Sequence, residues 1–386
     1  MFALCNAQVL IDGAFVEGRA VVVEGERIGA VVPAAGLDPA IERRDLAGCR
    51  LVPGFIDVQV NGGGDALFNA DPSVATIRRI GEAHRRAGTT GFLPTLISDD
   101  LAVIRSGIAA VDAAIEQKVP GVLGIHIEGP FINVERKGIH AAQKIRTLDE
   151  EGFAVLTSLK GGSTLVTLAP ELAGPAMVER LAAAGVIVAA GHTAASFDEV
   201  SAAVAAGLRG VTHLFNAMSP LGSRDPGAVG AALYHDALWC SLIVDGHHVD
   251  PVTLKLALRC KPGNRVLLVT DAMPPTGGGR ADFVLNGRPI TRRDGRLVDA
   301  DGVLAGADLT MWDAVRRTAT MLDVPLPRAL AMASEYPAAF LRRSDLGAIA
   351  PGKRASLLAI ADDGTIRETW IDAQPMSHGK PEHASS

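Results

Sequence analysis

The spacing of apolar and polar residues divides the chain near residue 53. Before that point, short β-type runs at Ala7–Ile11, Arg19–Glu24 and Arg27–Val32 are separated by turns at Asp12-Gly13 and Glu24-Gly25. No helical period appears in this part of the chain. We therefore predict a small unit of β-strands at the start.

After Pro53, short apolar runs alternate with Ala-rich amphipathic stretches. The apolar runs, which predict eight strands, are Phe55–Val60, Thr90–Leu96, Val122–Ile127, Leu165–Leu168, Val186–Ala190, Gly210–Leu214, Cys240–Val244 and Val266–Val269. The amphipathic stretches, which predict helices, are Ser73–Ala87, Asp99–Glu116, Glu150–Leu159, Pro175–Ala184, Asp198–Ala206, Pro251–Arg259 and Asp308–Leu322. Strand–helix units in such a series predict a (β/α)8 TIM barrel rather than an open doubly wound sheet. The run Gly62-Gly63-Gly64 does not match G-x-G-x-x-G, so a dinucleotide site has little support.

The end of the chain returns to a β pattern over Leu346–Ile360. The simplest α/β arrangement has a barrel of residues 53–345 and a small β-sandwich domain of residues 1–52 plus 346–380. The turn-rich segment Ala272–Leu304 is a further candidate source of strands for this β domain. From Gln374 onward, Pro, Ser, His and Gly predict a disordered or partly vector-derived tail.

Composition and charge narrow the classes of partner. The 386 residues are 48% apolar, enough for a large core, and their formal net charge is −6 without a long run of like charges. We therefore expect neither nucleic acid nor an anionic membrane as a partner. We find no secretory signal and no stretch of about 18 apolar residues, so we expect a cytoplasmic protein. The widely separated Cys5, Cys49, Cys240 and Cys260 predict free thiols.

Polar residues that suit metal chemistry follow several of the predicted strands. In a TIM barrel, the catalytic groups lie at the carboxyl ends of the strands. Those positions hold Gln59, Asn61, His126, Glu128, His192, His213, Asp245, His247, His248 and Asp271. Glutamate and histidine suit a divalent ion such as zinc that keeps an open position for water, and a nearby aspartate can act as the base. The pattern by itself predicts a metal-dependent hydrolase.

Other polar residues have simpler structural interpretations. We expect Asp57 to support the barrel mouth and Asp245 to cap a turn. We expect His247 to be solvated and His84 to lie on the exposed face of its helix. His126, on the third predicted strand, is interpreted equally well as a packed barrel residue or as a support for the site.

Longer motifs carry a resemblance to a known family. The matching segments are Pro53-Gly54-Phe55-Ile56-Asp57, His126-Ile127-Glu128-Gly129-Pro130-Phe131, Gly191-His192-Thr193, Thr212-His213-Leu214-Phe215-Asn216-Ala217-Met218, Asp245-Gly246-His247-His248, Thr270-Asp271-Ala272 and Leu304-Ala305-Gly306. In this order, they resemble the amidohydrolase superfamily and, within it, the N-acetylglucosamine-6-phosphate deacetylases. The resemblance implies hydrolysis of the acetamide of N-acetyl-D-glucosamine 6-phosphate to glucosamine 6-phosphate and acetate.

The resemblance also implies a role for each matching residue. Glu128, His192 and His213 would hold the metal ion, while Asp271 would act as the general base and then protonate the leaving amine. His140 would act beside the scissile amide. The implied substrate contacts are His140, Ala141, Asn216, Ala217, Arg224 and His248. Arg224 would reach the phosphate in a neighbouring subunit, which implies a homodimer.

Gln59 and Asn61 indicate the number of metal ions. Many amidohydrolases carry His-x-His at these positions, and an amide is a poorer ligand than imidazole. We therefore predict one divalent ion, with zinc as the first choice and iron, manganese or cobalt as alternatives. Three other functions stay open: N-acetylgalactosamine-6-phosphate deacetylation, another amidohydrolase reaction such as deamination, and a non-catalytic scaffold. The runs Val122–Ile127 and Leu165–Leu168 hold no lysine, which disfavours a binuclear dihydroorotase.

Overall fold

Eight parallel strands form a barrel in the computed structural model, which describes residues 1–377. The strands are Phe55–Val60, Thr89–Ile97, Gly124–Glu128, Ser163–Leu168, Ile187–Ala190, Gly210–Val211, Trp239–Leu242 and Val266–Leu268. Each strand pairs in parallel with the next along the chain. The predicted TIM barrel is confirmed. The sixth strand is shorter than the predicted Gly210–Leu214 because the backbone turns at His213, whose φ is +35°.

The barrel closes between its first and eighth strands through Asp57. This buried carboxylate accepts hydrogen bonds from the Thr270 hydroxyl at 2.5 Å and from the Thr270 N–H at 3.3 Å. One residue further on, the Asp271 N–H donates to the carbonyl of Gln59 at 3.0 Å. Burial raises the pKa of Asp57 to about 7, although these hydrogen bonds act in the opposite direction. Asp57 thus supports the barrel mouth, as predicted.

Helices occupy all the segments predicted from the amphipathic pattern: Val74–Arg85, Leu101–Glu116, Glu150–Leu156, Pro175–Ala183, Phe197–Ala205, Pro251–Cys260 and Met311–Met321. Ser196 and Glu199 form a capping box at the start of one of them. The described residues also form unpredicted helices at Pro170–Ala173, Gly227–Tyr234, Leu326–Ala333 and Glu335–Phe340, and 3-10 turns at Ala34–Gly36, Val134–Arg136 and Ala142–Lys144. Gly227–Tyr234 is apolar on nearly every side, so no amphipathic period marks it.

Residues from both ends of the chain share one eight-stranded sheet. Its strands are Phe2–Ile11, Ala14–Glu24, Arg27–Pro33, Glu42–Asp45, Arg50–Pro53, Leu357–Ile360, Ile366–Ile371 and Gln374–Ser377. Antiparallel pairing of Leu357–Ile360 with Arg50–Pro53 joins the two ends. Leu4, Ile28 and Trp370, from distant strands, pack in one core. We keep the domain boundaries of 1–52 plus 346–380 and 53–345 as a proposal.

Two details at the end of the chain differ from the prediction. Within Leu346–Ile360, the strand covers only Leu357–Ile360. Gln374–Ser377, predicted to begin a disordered tail, is a strand that pairs with Ile366–Ile371. The remainder of that predicted tail lies outside the described residues.

A separate three-stranded antiparallel sheet is formed by Asp282–Leu285, Arg288–Arg293 and Arg296–Val298. The expectation that Ala272–Leu304 adds strands to the terminal β domain was therefore wrong. Leu285, Ile290 and Leu297 pack instead with Ile97, Ile139 and Met273 from the barrel side. This sheet buries its apolar face there because the terminal sheet has its own core. A small pairing of Gly62–Gly63 with Ala66–Leu67 follows the first barrel strand.

His84 is buried, contrary to its predicted exposed position. Its Nε2 donates to the carbonyl of Gly62 at 2.9 Å, in the loop after the first barrel strand. Burial lowers the pKa of His84, so the ring is neutral and carries its proton toward that carbonyl. A Cβ at Gly63 would lie only 2.7 Å from this ring. The sequence pattern missed the contact because the partner is a backbone carbonyl.

The cysteines and the membrane prediction are simpler. Cys5, Cys49, Cys240 and Cys260 are free thiols, as predicted. Among residues 1–377, no helix combines the length and the apolar character needed to cross a membrane.

Candidate active site

Three predicted metal ligands meet at the mouth of the barrel. Glu128 Oε1 lies 2.8 Å from His213 Nε2 and 3.1 Å from His192 Nε2, and the two nitrogens are 3.1 Å apart. All three side chains are buried. Ligand atoms of one zinc ion, at bond lengths of about 2.0–2.2 Å, stand roughly 3–3.5 Å from one another. The three atoms therefore fit a single ion.

Glu128 is held as a carboxylate by its two histidine neighbours. Burial alone would raise the pKa of Glu128, but the hydrogen bonds from His192 and His213 outweigh it and hold this pKa well below its ordinary value. An ionised carboxylate is the form that binds a cation.

Each of the two histidines contacts a partner elsewhere in the chain, His192 through its ring and His213 through its backbone N–H. His192 Nδ1 lies 2.8 Å from the carbonyl of Arg136, and this contact orients the ring with its Nε2 toward Glu128. The His213 N–H donates to the Ser241 hydroxyl at 2.7 Å. His192 and His213 have φ values of +48° and +35°, in the left-handed region that non-glycine residues seldom adopt. Such backbone is found mostly where the surrounding structure enforces it at a functional site.

His140 offers a rival ligand set that we consider less suitable. One ligand atom each from Glu128, His140 and His192 lie within 4.8 Å of one another. The atoms of the set with His213 are closer together. In addition, the Ser98 N–H donates to His140 Nδ1 at 3.3 Å, so the neutral ring carries its proton on Nε2. Burial lowers the pKa of His140 to about 3, with the charge on His192 as a second cause. His140 is therefore a neutral hydrogen-bond donor.

Asp271 faces the same centre from the eighth strand. Its Oδ1 accepts from Asn61 Nδ2 at 2.7 Å and from Gln59 Nε2 at 3.2 Å, and Gln59 Nε2 also lies 3.1 Å from Glu128 Oε2. Burial and, second, the charge of Glu128 together raise the pKa of Asp271 to about 7. The NH₂ groups of the two amides thus donate to the carboxylates, while their buried oxygens have no hydrogen-bond partner among the described residues.

A cavity of about 460 Å³ opens above these residues, which is large enough for a small organic ligand. Its lining includes Glu128, His140, His192, His213, Asn216, Ala217, His248, Asp271, Val303 and Leu304. His248 Nδ1 lies 2.6 Å from Asp245 Oδ2. Burial alone would lower the pKa of His248, but Asp245 outweighs it and raises this pKa. Asp245 therefore favours the imidazolium form of His248 at the cavity wall, which Arg136 also lines.

The remaining predicted site residues fall into two groups. Asn216 and Ala217 line the cavity, and the Asn216 side chain donates to the carbonyl of His213 at 3.0 Å. Ala141 is buried beside His140 but does not line the cavity. Arg224 is exposed in the loop before Gly227–Tyr234, away from the cavity of its own chain.

Two further strand-end residues, His126 and Asp245, make structural contacts outside the ligand cluster. His126 Nε2 lies 2.8 Å from the Thr167 hydroxyl inside the barrel, below the cavity lining. Burial lowers the pKa of His126 to about 4. Asp245 accepts the N–H groups of His247 and His248 at 2.8 and 2.9 Å, so it caps the turn as predicted.

Comparison with known proteins places the chain in a family. A model of the amidohydrolase family matches residues 50–376, and a model of the NagA composite domain matches residues 1–51. The chain belongs to the amidohydrolase family. An N-acetylgalactosamine-6-phosphate deacetylase of a Shewanella species is 43% identical over 83% of this amidohydrolase and 82% of the relative. An N-acetylglucosamine-6-phosphate deacetylase of Haemophilus influenzae is 34% identical over 97% of this chain and 98% of the relative.

Solved structures agree with these relatives. The N-acetylglucosamine-6-phosphate deacetylase of Pasteurella multocida matches this amidohydrolase with a TM-score of 0.94 at 34% identity, over 98% of this chain and 100% of that one. A mutant of the Mycobacterium smegmatis enzyme in complex with N-acetyl-D-glucosamine-6-phosphate matches with a TM-score of 0.90 at 29% identity, over 97% and 98% of the two chains.

The sequence patterns of this amidohydrolase did not identify some residues that support the site. Ser98 and Glu171 follow the second and fourth barrel strands, so the strand-end rule was a signal that pointed to both. Neither lies in a motif rich in metal ligands, and both act on other side chains. Arg136 contributes its backbone carbonyl, which no side-chain pattern reveals.

Proposed function

We propose that this chain hydrolyses the acetamide of N-acetyl-D-glucosamine 6-phosphate to glucosamine 6-phosphate and acetate. The observation that carries the proposal is the meeting of Glu128 Oε1, His192 Nε2 and His213 Nε2 within 3.1 Å, with Asp271 facing them. Relatives and structural neighbours with the same architecture are named as deacetylases of N-acetylhexosamine 6-phosphates.

The donor set fits one divalent ion, with zinc preferred and iron, manganese or cobalt as alternatives. One carboxylate and two imidazoles are ligands that zinc favours. Gln59 and Asn61 direct their NH₂ groups at Asp271 and Glu128, which supports a single ion. Such an ion, when bound, lowers the pKa of water and polarises a carbonyl group.

Asp271 and His140 divide the proton chemistry in this proposal. With a pKa near 7, Asp271 can take the proton of the attacking water and pass it to the amine nitrogen as the C–N bond breaks. His140 keeps its proton on Nε2 and donates it as a hydrogen bond to the negative charge that develops on the acyl oxygen. Water and amide thus become acetate and free amine.

The phosphate end of the substrate is assigned to His248, with Asn216 and Ala217 beside the sugar. The imidazolium of His248 supplies positive charge inside the cavity. Arg224 is proposed to supply a second cation from a neighbouring subunit, because it is exposed and does not line the cavity of its own chain. Leu221 and Tyr234, which flank this loop, are 59% and 72% exposed and support a homodimer interface here. A charged sugar phosphate does not cross a bilayer unaided, which supports a cytoplasmic location.

N-acetylgalactosamine 6-phosphate is a second candidate substrate, favoured by the 43% identical Shewanella relative. The test measures acetate release from both sugar phosphates and from unphosphorylated N-acetylglucosamine. We expect the highest kcat/KM with N-acetylglucosamine 6-phosphate. A higher value for the galactose epimer would change the substrate, and equal values with and without phosphate would refute the phosphate assignment. A zinc-loaded chain that releases no acetate would support a non-catalytic scaffold.

A further inference from the structure

Glu171 lies in the short helix Pro170–Ala173, just after the fourth barrel strand, and is a carboxylate with no place in the proposed chemistry. Its Oε1 accepts from the Ala194 N–H at 2.7 Å and from Asn133 Nδ2 at 3.0 Å, and its Oε2 accepts from the Thr193 hydroxyl at 2.5 Å. It makes no ion pair with any residue among 1–377. All three of these hydrogen bonds come from residues in the loops after the third and fifth strands.

These contacts surround His192 on its backbone side. Thr193 and Ala194 follow His192 directly, and the Asn133 N–H donates to the His192 carbonyl at 2.8 Å. The Thr193 hydroxyl, while donating to Glu171, accepts from the Ala195 N–H at 3.0 Å. The loop is thus fastened at consecutive residues just after the left-handed φ of +48° at His192.

The same carboxylate links the two loops that determine where the His192 ring points. Asn133 belongs to the loop that also carries Arg136, whose carbonyl accepts from His192 Nδ1 at 2.8 Å. Without the carboxylate of Glu171, the three donors that converge at this point lose their acceptor. The two loops also lose the residue that joins them. Left-handed backbone at a non-glycine residue relaxes when its surroundings no longer enforce it.

We propose that Glu171 is a positioning residue that holds His192 Nε2 in the geometry required for metal binding. The inference rests on the ligand role of His192 in the proposed function. Outer partners of metal-binding histidines typically change metal affinity or activity by about 10–100-fold when they are removed. Glu171 acts one step further out than the usual partner, through the backbone rather than through the ring.

The experiment measures zinc affinity of the full chain by competition with a fluorescent chelator, well below the unfolding temperature. Glu171→Gln replaces one acceptor oxygen by an NH₂ group that opposes the donors, and we expect zinc to bind about 10–100-fold more weakly. Thr193→Val should also weaken zinc binding. Thr193→Ser keeps the hydroxyl and should bind zinc as tightly as wild type. Glu179→Gln, an exposed carboxylate on the helix Pro175–Ala183, is the control for lost charge.

A second readout needs no metal. Hydrogen exchange of residues 191–196 in the zinc-free protein should be faster in Glu171→Gln than in wild type. Zinc affinity within about twofold of wild type in both Glu171→Gln and Thr193→Val would overturn the proposal, even if thermal stability falls. If His192→Ala binds zinc as tightly as wild type, the ligand assignment of the proposed function is refuted instead. The two failures are therefore distinguishable.

Discussion

Replacing Asp245 by asparagine should change how substrate binding depends on pH. In the folded chain, Asp245 raises the pKa of His248 above its ordinary value against the effect of burial. The imidazolium is therefore favoured below the ordinary pKa of histidine, and it is lost as the pH rises through the raised value. In Asp245→Asn the charge is absent and burial prevails, so the pKa of His248 falls below its ordinary value.

The strength of the interaction between Asp245 and His248 is derived from the pKa of Asp245. The pKa of Asp245 is lowered from 3.8 to about 2, although burial alone would raise it. At about 1.4 kcal/mol per pKa unit, this favours the ionised carboxylate by ~2 kcal/mol. The His247 and His248 N–H groups supply part of it, so we assign about 1 kcal/mol to the charge on His248. The pKa of His248 should then fall in the variant, because burial, which lowers this pKa, is no longer opposed by the Asp245 charge.

The assay is KM for the sugar phosphate from about pH 6 to about pH 9, where an imidazole near its ordinary pKa titrates. We expect the rise in KM to begin at lower pH in Asp245→Asn, with kcat little changed because Asp271 is untouched. Asp12→Asn, which removes an exposed carboxylate from a turn of the terminal sheet, is the matched control. The reasoning fails if KM rises at the same pH in both proteins. It also fails if unphosphorylated substrate shows the same change.

Three further predictions concern other parts of the molecule. Asp271→Asn should keep its zinc but lose kcat by about 10²–10⁴-fold, because an amide cannot carry the proton; near-full turnover would remove Asp271 as the base. Gly63→Ala should lower the free energy of unfolding by about 1–3 kcal/mol in urea denaturation, because its Cβ would lie 2.7 Å from the His84 ring. Gly36→Ala, with open space around it, is the control, and equal losses in both would contradict the contact. Arg224→Ala should raise KM for the phosphate ester. When Arg224→Ala chains are mixed with Asp271→Asn chains, each mixed dimer should contain one site with both residues intact and should regain activity. No gain of activity on mixing would refute the shared site.

Most of the barrel was predictable because its signals are local. Each strand is buried on both faces and appears as a short apolar run, and each outer helix has one apolar face. The helix Gly227–Tyr234 shows the limit of this reasoning. It is buried on nearly all sides, so its sequence lacks the polar face by which the other helices were recognised.

The candidate ligands were also predictable, since parallel strands bring their carboxyl ends to one side. The strand-end rule therefore predicts that Glu128, His192 and His213 meet, and their atoms do lie within 3.1 Å. The burial of His84 against Gly62 was not predictable, because a backbone carbonyl has no signature in the sequence.

The barrel, the chemical type of each strand-end residue and the absence of histidine at positions 59 and 61 follow from the order of residues alone. What those residues do to one another depends on the folded arrangement. In the fold, the amides of Gln59 and Asn61 donate to Asp271, and Glu171 accepts a hydrogen bond from the loop that follows His192. The reason is physical: hydrogen-bond partners and desolvation depend on which distant segments meet. Residue type and periodicity report only a residue's own preferences.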